Sequence, residues 1–516
     1  MSTLKIGIIK NTKFELSQYQ LDICNYIINS DKLELDAILC PVNTKVYNPK
    51  RKFLFRLINK IESILLNKTI EKFDFSNLKT INFTANLDKF THEIDSENYK
   101  KIKDLELDII LRFDLNILKG EILKTAKFGV WSFHHGDNKL FRGSTPGFFE
   151  IINKKKYTSL ILQKLDKSLD GGQVLSKGSI ITNPIYTKNL RKVQSLSLEV
   201  FKKSIANLRN DIIYSDNANI YFSKLYRSPS NLDSLVYIGT LINFILKTVT
   251  RKILPYKNNN WSIYYNSSSP FISPLYKSKK IIPSNNESFS ADPFLYNKDG
   301  QKIIFYEKYM KNKKIGIISY KDLSDSSRYG DLKLTTGHKS YPTIFKHNKS
   351  LYLTVESKSN KCLEIYESIS FPEKWKLSHR LLEGEQISDP NVFEYNKELW
   401  LNYSSGDENN SCQYLYKFDE FDITKLISHK LNPVSLEVST SRNAGQVFKY
   451  GEDYFRPVMV NDFYNYGKYI KLYKIKSLNI SSYETEFYQD IRADNFGNNI
   501  HHLSIDNNEY VFDISK

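Results

Sequence analysis

The sequence predicts two unlike halves: an α/β domain with a mostly parallel sheet and helices on both faces, then an all-β five-bladed propeller. Three observations predict this. Buried-strand and amphipathic-helix signals alternate through residues 1–210. A hairpin unit recurs five times within residues 259–516. At 516 residues the chain is also too long for one ordinary domain. Residues 211–258 read as a connector, partly helical.

In the first half, Leu4–Ile9 reads as a buried strand, Tyr19–Ile28 as a helix and Leu35–Cys40 as a second strand. Phe53–Leu66 has the spacing of an amphipathic basic helix, and Leu107–Arg112 and Val130–Phe133 are further buried strands. No GxGxxG or Walker pattern follows the first strand, which argues against ordinary dinucleotide or nucleoside-triphosphate binding. In the connector, Leu235–Leu246 is followed by Lys247, Arg251 and Lys252. Two readings stand: a helix packed between domains, or peripheral membrane contact through residues 235–252.

In the second half, an apolar strand, a polar tight turn and an alternating strand recur from Ala291, Ser340, Ser388, Arg442 and Ile500. Phe345, Phe393, Phe448 and Ile505 hold equivalent places. Units of this size built from hairpins suggest one four-stranded blade each, with Trp261–Tyr265 closing against the last. A β-sandwich with coincidentally similar hairpins is the alternative.

Composition narrows the classes. With 41% hydrophobic and 14% aromatic residues the chain is globular. Its net charge of +17 is spread over a lysine-rich sequence with no long basic run and no RNA-binding signature, so no nucleic-acid partner is expected. Cys24, Cys40, Cys362 and Cys412 are scattered, which supports neither a disulfide framework nor a metal site and suggests a reducing compartment. The first residues do not read as a signal peptide, and no run of ~20 apolar residues is evident. The expectation is a cytoplasmic protein.

The chemistry concentrates in GVWSFHHGDNKLFRGSTP, Gly129–Pro146, and LDKSLDGGQVL, Leu165–Leu175. A buried strand ends in His134 and His135. In open α/β sheets ligands sit at the carboxyl ends of strands. Asp170, in a Gly-flanked turn, can meet His134 in space, and a His oriented by a carboxylate can stabilise an oxyanion and move a proton. A strand-end His is also often structural.

These two stretches resemble the formyltransferase family, which includes methionyl-tRNA, glycinamide-ribonucleotide and sugar-nucleotide formyltransferases. The pattern G-x-x-N-x-H, then R-G and P, fits Gly129, His134, Arg142, Gly143 and Pro146. The later L-D-x-G fits Leu169, Asp170 and Gly172. The family's Asn falls on Ser132, a shorter donor. The resemblance implies 10-formyltetrahydrofolate as formyl donor. It also implies His134, Asp170 and Ser132 as catalytic residues and His135, Asp137, Asn138, Arg142 and Gly172 as binding or loop residues. His135 also reads as packing, and Arg142 and Gly143 as residues that fix the loop.

The second half resembles the N-terminal region of plant glucosamine inositolphosphorylceramide transferases through ADPF, SYP, VES, FPEKW, HKLNPV, RNAG, FRP and YGK. It is also similar to propeller glycosidases in placing Asp292 and Asp389 before proline, with Glu307 and Glu356 ending second strands. Their third carboxylate has no match, and Arg442 stands in that region. Asp292, Glu356, Asp389 and Arg442 are therefore sugar-site residues by expectation, and Trp375, Trp400, Tyr341 and Tyr466 either stack on sugars or fill the core. The expected activity is formylation of an amino sugar. Three alternatives remain: a glycan-binding protein with an inactive transferase domain, a methionyl-tRNA formyltransferase-like enzyme, and a propeller glycosidase.

Overall fold

The computed structural model describes residues 3–515 except 12–14, 43, 46–51, 66–72, 77, 89–90, 144, 168–171, 213–223, 254–259, 269–274, 299, 406–410, 494–495 and 498. It divides into two compact units, Met1–Thr250 and Arg251–Lys516.

The first unit is built on a seven-stranded sheet: β1 (Leu4–Ile9), β2 (Leu33–Pro41), β3 (Lys79–Phe83), β4 (Ile109–Arg112), β5 (Val130–His134), β6 (Tyr157–Lys164) and β7 (Gln173–Ile181). Their spatial order is β7-β6-β5-β4-β1-β2-β3. The strands from β5 through β3 pair in parallel, and β6 and β7 add antiparallel at one edge. Parallel strands buried on both faces need continuous apolar runs, and Leu4–Ile9 and Ile109–Leu111 supply them. Ile9, Leu39, Ile110 and Val130 share one core with Ile102 and Ile122. The chain leaves β1 for β2 on one side and later returns to β4 on the other. The carboxyl ends of β1, β4 and β5 therefore flank the switch point where such sheets bind ligands.

The connector differs from expectation. Asn231–Ile253 is one 23-residue helix. Residues Asn231–Arg251 are long and apolar enough to cross a membrane by length and composition, with a mean hydropathy of 1.4. This corrects the expectation that no such segment exists. Gly239, Thr240 and Asn243 interrupt the apolar run, so it is visible only as an average over a window. Tyr237 anchors the helix by donating to Glu62 of the helix Phe53–Leu65 and accepting from the Tyr186 amide. Both helices expose apolar residues, among them Phe53, Ile61, Ile64, Leu232, Ile245 and Leu246.

The second unit holds five four-stranded antiparallel sheets. Four are consecutive in sequence and begin at Ser288–Lys298, Ser340–His347, Ile387–Tyr395 and Phe448–Tyr450. The fifth is composite: Trp261–Asn266 pairs with Glu509–Ser515, which pairs with Asn499–Asp506. In four of the sheets the first long strand carries a β-bulge at the same place, between Ala291 and Phe294, Ser340 and Thr343, Ser388 and Asn391, and Ile500 and Leu503. Asp292, Tyr341 and Asp389 occupy three of these bulges with φ of 49°, 51° and 49°, each followed by proline. Proline lacks an amide to pair, and a bulge is where a strand tolerates it. The repeated ADP, SYP and SDP of the sequence is the imprint of this bend.

Candidate functional site

At the first unit's sheet edge, β5 presents Ser132 and His134 on one face at period two. Ser132 is buried, and its Oγ accepts from Arg112 Nε at 3.1 Å and Nη2 at 2.8 Å. Arg112 ends the neighbouring strand β4, in register with Ser132. Its Nη1 donates to the Asn116 carbonyl. On the other side Gln163 of β6 faces Ser132 in register, buried, with no hydrogen bond to Oε1 among the described residues. Arg112, Gln163, Asp166 and Gly172 line one small cavity. A Cβ on Gly172 would lie 2.2 Å from the Lys164 carbonyl oxygen, so only glycine fits there.

His134 is half-buried and its Nε2 lies 3.2 Å from the Phe141 carbonyl, to which it donates. Asp170 lies outside the described residues. His135 points into the interior. It pairs with Ser197 Oγ at 3.0 Å and packs edge-on against Tyr19. Burial first, then the adjacent His134, lowers its pKa to about 3. Such an imidazole stays neutral and buried, and its role is packing.

Asp137 shapes the loop. Burial pushes its carboxyl up, but Lys177 at 2.7 Å and the amides of Lys139 and Leu140 outweigh this and hold it below the usual range. Asn138 is fully buried, with neither amide atom hydrogen-bonded among the described residues. The Arg142 carbonyl accepts from the Tyr226 amide, and Gly143 (φ +96°) bridges to Tyr226. Glu150 is buried, and burial raises its pKa to about 8 against the smaller opposing pull of the backbone at Glu150 and Gly147. Sequence reasoning missed Arg112, Gln163 and Glu150. The first had a signal, a lone cation ending a buried strand.

In the second unit, all four expected sugar-site residues, Asp292, Glu356, Asp389 and Arg442, line one cavity of about 170 Å3. Glu307, His338, His501, Trp261, Phe289 and Tyr466 also line it. Arg442 Nε donates to Asp389 Oδ2 at 2.6 Å, and Nη2 to the Tyr466 hydroxyl at 2.8 Å. The Asp389 amide donates to Glu356 Oε2 at 2.9 Å. His501 lies between Asp292, at 3.1 Å, and Asp513, at 3.0 Å.

The charges are split. Burial raises Asp292, but His501 more than offsets it, and Asp292 ends below the usual range. Burial, and then the Asp292 charge, pushes Glu307 well above it. Burial and Asp389 raise Glu356 to about 8. Burial also raises Asp389, and Arg442 offsets this only in part. Burial disfavours the His501 cation, yet Asp513 and Asp292 overcome it and raise its pKa to about 10.

Asp292, His501 and Asp513 are close enough to offer three ligand atoms to a metal. Both Asp513 oxygens already accept backbone amides, from Asp292 and from His501 and His502. The His501 imidazole between the two carboxylates makes the cluster an ion pair as it stands.

The aromatic residues separate. Trp375 and Trp400 are core, packed with Phe305 and Leu353 and with Phe393 and Tyr454 respectively. Tyr341 is fully buried, its hydroxyl donating to the Gly445 carbonyl and accepting from the Gly445 amide. Tyr466 alone of the four lines the cavity.

Comparison with known proteins agrees with both halves. Residues 242–507 match the family described as glucosamine inositolphosphorylceramide transferase 1, N-terminal. The transferase of that name from Oryza sativa subsp. indica is 27% identical over 238 residues, 44% of this chain and 31% of the relative. The chain thus spans about a third of that relative's length. The bifunctional polymyxin resistance protein ArnA of Wigglesworthia glossinidia brevipalpis is 30% identical over 151 residues, 28% of this chain and 23% of its own. The methionyl-tRNA formyltransferase of Clostridium beijerinckii is 26% identical over 178 residues, 33% of this chain and 58% of its own.

The expected cytoplasmic location does not stand. The C-terminal half matches proteins named for a lipid, inositolphosphorylceramide, which points to a membrane setting. The chain belongs to the glucosamine inositolphosphorylceramide transferase 1 N-terminal family and joins to that region a formyltransferase-like α/β domain.

Proposed function

We propose that this chain transfers a formyl group from 10-formyltetrahydrofolate to the primary amine of an amino sugar, free, nucleotide-linked or in a glycoconjugate. The observation that carries the reading is His134 at the carboxyl end of β5, with Ser132 beside it in the grip of Arg112. The relatives named for formyl transfer support the reaction class.

In this reading the amine nitrogen bonds to the formyl carbon, the bond from that carbon to the folate nitrogen breaks, and the amine proton passes to the folate. His134 holds the developing oxyanion and moves the proton. Ser132 and Arg112 together take the place of the family's Asn, the guanidinium adding a charged donor where the hydroxyl is short. Asp170 orients His134. Asn138 offers both atoms of its buried amide, and Gln163 its Oε1, unpaired among the described residues, to the donor or the acceptor. Titration with a reduced folate tests the donor site: binding that weakens in Arg112→Ala supports the reading, and no binding to the intact chain refutes it.

The five sheets are, in this reading, the blades of a five-bladed propeller over residues 259–516, following a transferase domain over 1–210 and a connector over 211–258. The propeller binds carbohydrate in the cavity holding Asp292, Glu356, Asp389 and Arg442. A second reading, hydrolysis of a glycosidic bond, is favoured by the opposed protonation of Asp292 and Glu307, the pattern of a base and an acid.

The helix Asn231–Ile253 contacts the membrane surface. Its exposed apolar face and that of Phe53–Leu65, with Arg56, Lys60 and Lys247 beside them, suit an anionic bilayer. Co-sedimentation with phosphatidylserine-containing vesicles that fails, or that survives Ile245→Asp with Ile61→Asp, refutes this contact.

A further inference from the structure

The cavity of the second unit contains more carboxyl groups than cations to match them. Arg442 is paired with Asp389 and His501 with Asp292. Glu307 is left over. It is 7% exposed and makes no hydrogen bond among the described residues. His338 Nε2 lies 3.6 Å from Glu307 Oε1, beyond hydrogen-bond distance. His338 is no cation: burial lowers its pKa, and its Nδ1 accepts the Gly316 amide at 2.8 Å. Glu356 faces the same space and spends one oxygen on the Asp389 amide.

The local backbone makes room for this carboxyl. A Cβ on Gly316 would lie 2.2 Å from Glu307 Oε1, so a larger residue there would displace Glu307. Burying an acid with no partner is costly, and such groups need an explanation in what they bind. Trp261 and Phe289 also line the cavity, aromatic groups of the kind against which a pyranose ring packs, while the Tyr466 ring is covered by the Arg442 guanidinium at 4.9 Å.

We propose that this cavity binds an amino sugar with its amine free and protonated, the ammonium group lying against Glu307 and Glu356, and that it rejects the N-acylated sugar. The inference rests on the reading of the protein as a formyltransferase for amino sugars and narrows its substrate class. Acylation turns a cationic donor into a neutral amide, so the cavity distinguishes acceptor from formylated product. The amine is held there as a cation, which is not a nucleophile, so the cavity captures the sugar and does not perform the transfer.

The titratable groups around Glu307 are Asp292, His338, Glu356, His501 and Asp513. An arriving cation stabilises the ionised form of Glu307, so binding releases protons. Its measured enthalpy therefore depends on the buffer's ionisation enthalpy.

The test is calorimetric titration of the full chain, without folate, with glucosamine, N-acetylglucosamine and glucose at about pH 6.5, where a sugar amine is protonated. The expected result is a preference for glucosamine over the other two of about tenfold or more. Proton release should accompany it, and Glu307→Gln should abolish both while thermal unfolding stays cooperative. Equal binding of all three sugars overturns the proposal. So does failure of all three to bind, or a preference that survives both Glu307→Gln and Glu356→Gln. The two readings fail separately: His134→Ala should still bind glucosamine, and transfer without glucosamine preference removes the cavity's role and leaves the transferase standing.

Discussion

The two halves place their polar groups in opposite ways. In the first unit the groups that matter lie within one motif and its immediate neighbours, at the open edge of a parallel sheet, where His134 stays half-buried. In the second, residues as far apart as Asp292 and His501 are drawn into one buried charge network, where Arg442 pairs with Asp389 and His501 with Asp292 while Glu307 is left without a counter-charge. An edge site can lose a group and keep its fold. An enclosed charge network cannot, because each charge depends on its partner for the solvation that water no longer supplies.

The largest expected effect follows from that contrast. Arg442→Ala leaves Asp389 buried without its counter-charge and should destabilise the chain by about 3–5 kcal/mol, read by chemical denaturation. Arg112→Ala, at the sheet edge, should leave stability nearly unchanged yet lower the formyl-transfer rate about 10²–10³-fold through loss of an oxyanion donor. Equal effects of the two variants on stability would break the comparison.

Acidity gives a smaller, directional test. Glu150 in the first unit and Glu356 in the second have pKa values raised to about 8 by burial. A carboxyl whose folded pKa lies above its unfolded value favours folding below the unfolded pKa, and that contribution is lost as pH rises through the folded value. Stability should fall between about pH 6.5 and 8, above the interval in which His135, its pKa lowered to about 3, makes the opposite contribution. Glu150→Gln should flatten the fall attributed to the first unit. His501, raised to about 10, adds stability that is present below about pH 6.5 and is lost as pH rises through 10. Stability that climbs over this range would contradict the burial argument. The smallest effect belongs to Ser132→Asn, which restores the family's residue. It should change transfer by less than about tenfold, because Arg112 remains to donate.

How much of this was legible in the sequence differs between the halves for a physical reason. The strands Leu4–Ile9 and Val130–His134 announced themselves as short apolar runs, and the site motif was contiguous with the second. Arg112 and Gln163 were not legible, because they meet Ser132 only through strand order. In the second half the repeat gave the hairpins and the equivalence of Asp292 and Asp389, since each bulge needs the same bend before proline. Glu307 was noticed as a strand residue, but its isolation depends on His338 and on the space left by Gly316, which no spacing reveals. Trp375 and Trp400 show the converse: an aromatic near a turn reads alike whether it faces a ligand or the core. The helix over Leu235–Leu246 is legible, but its full membrane-spanning length is not, because Gly239, Thr240 and Asn243 break its apolar run without lowering its average enough to matter.

The most direct test of the central claim is a transfer assay. The intact chain and its His134→Ala variant are supplied with 10-formyltetrahydrofolate and a panel of UDP- and dTDP-linked amino sugars, glucosamine-containing glycans and charged initiator tRNA, and products are read by mass spectrometry. The account predicts a formylated sugar amine from the intact chain and none from His134→Ala, with both proteins folded. Formylation of the tRNA alone, or equal turnover by both proteins, would contradict it.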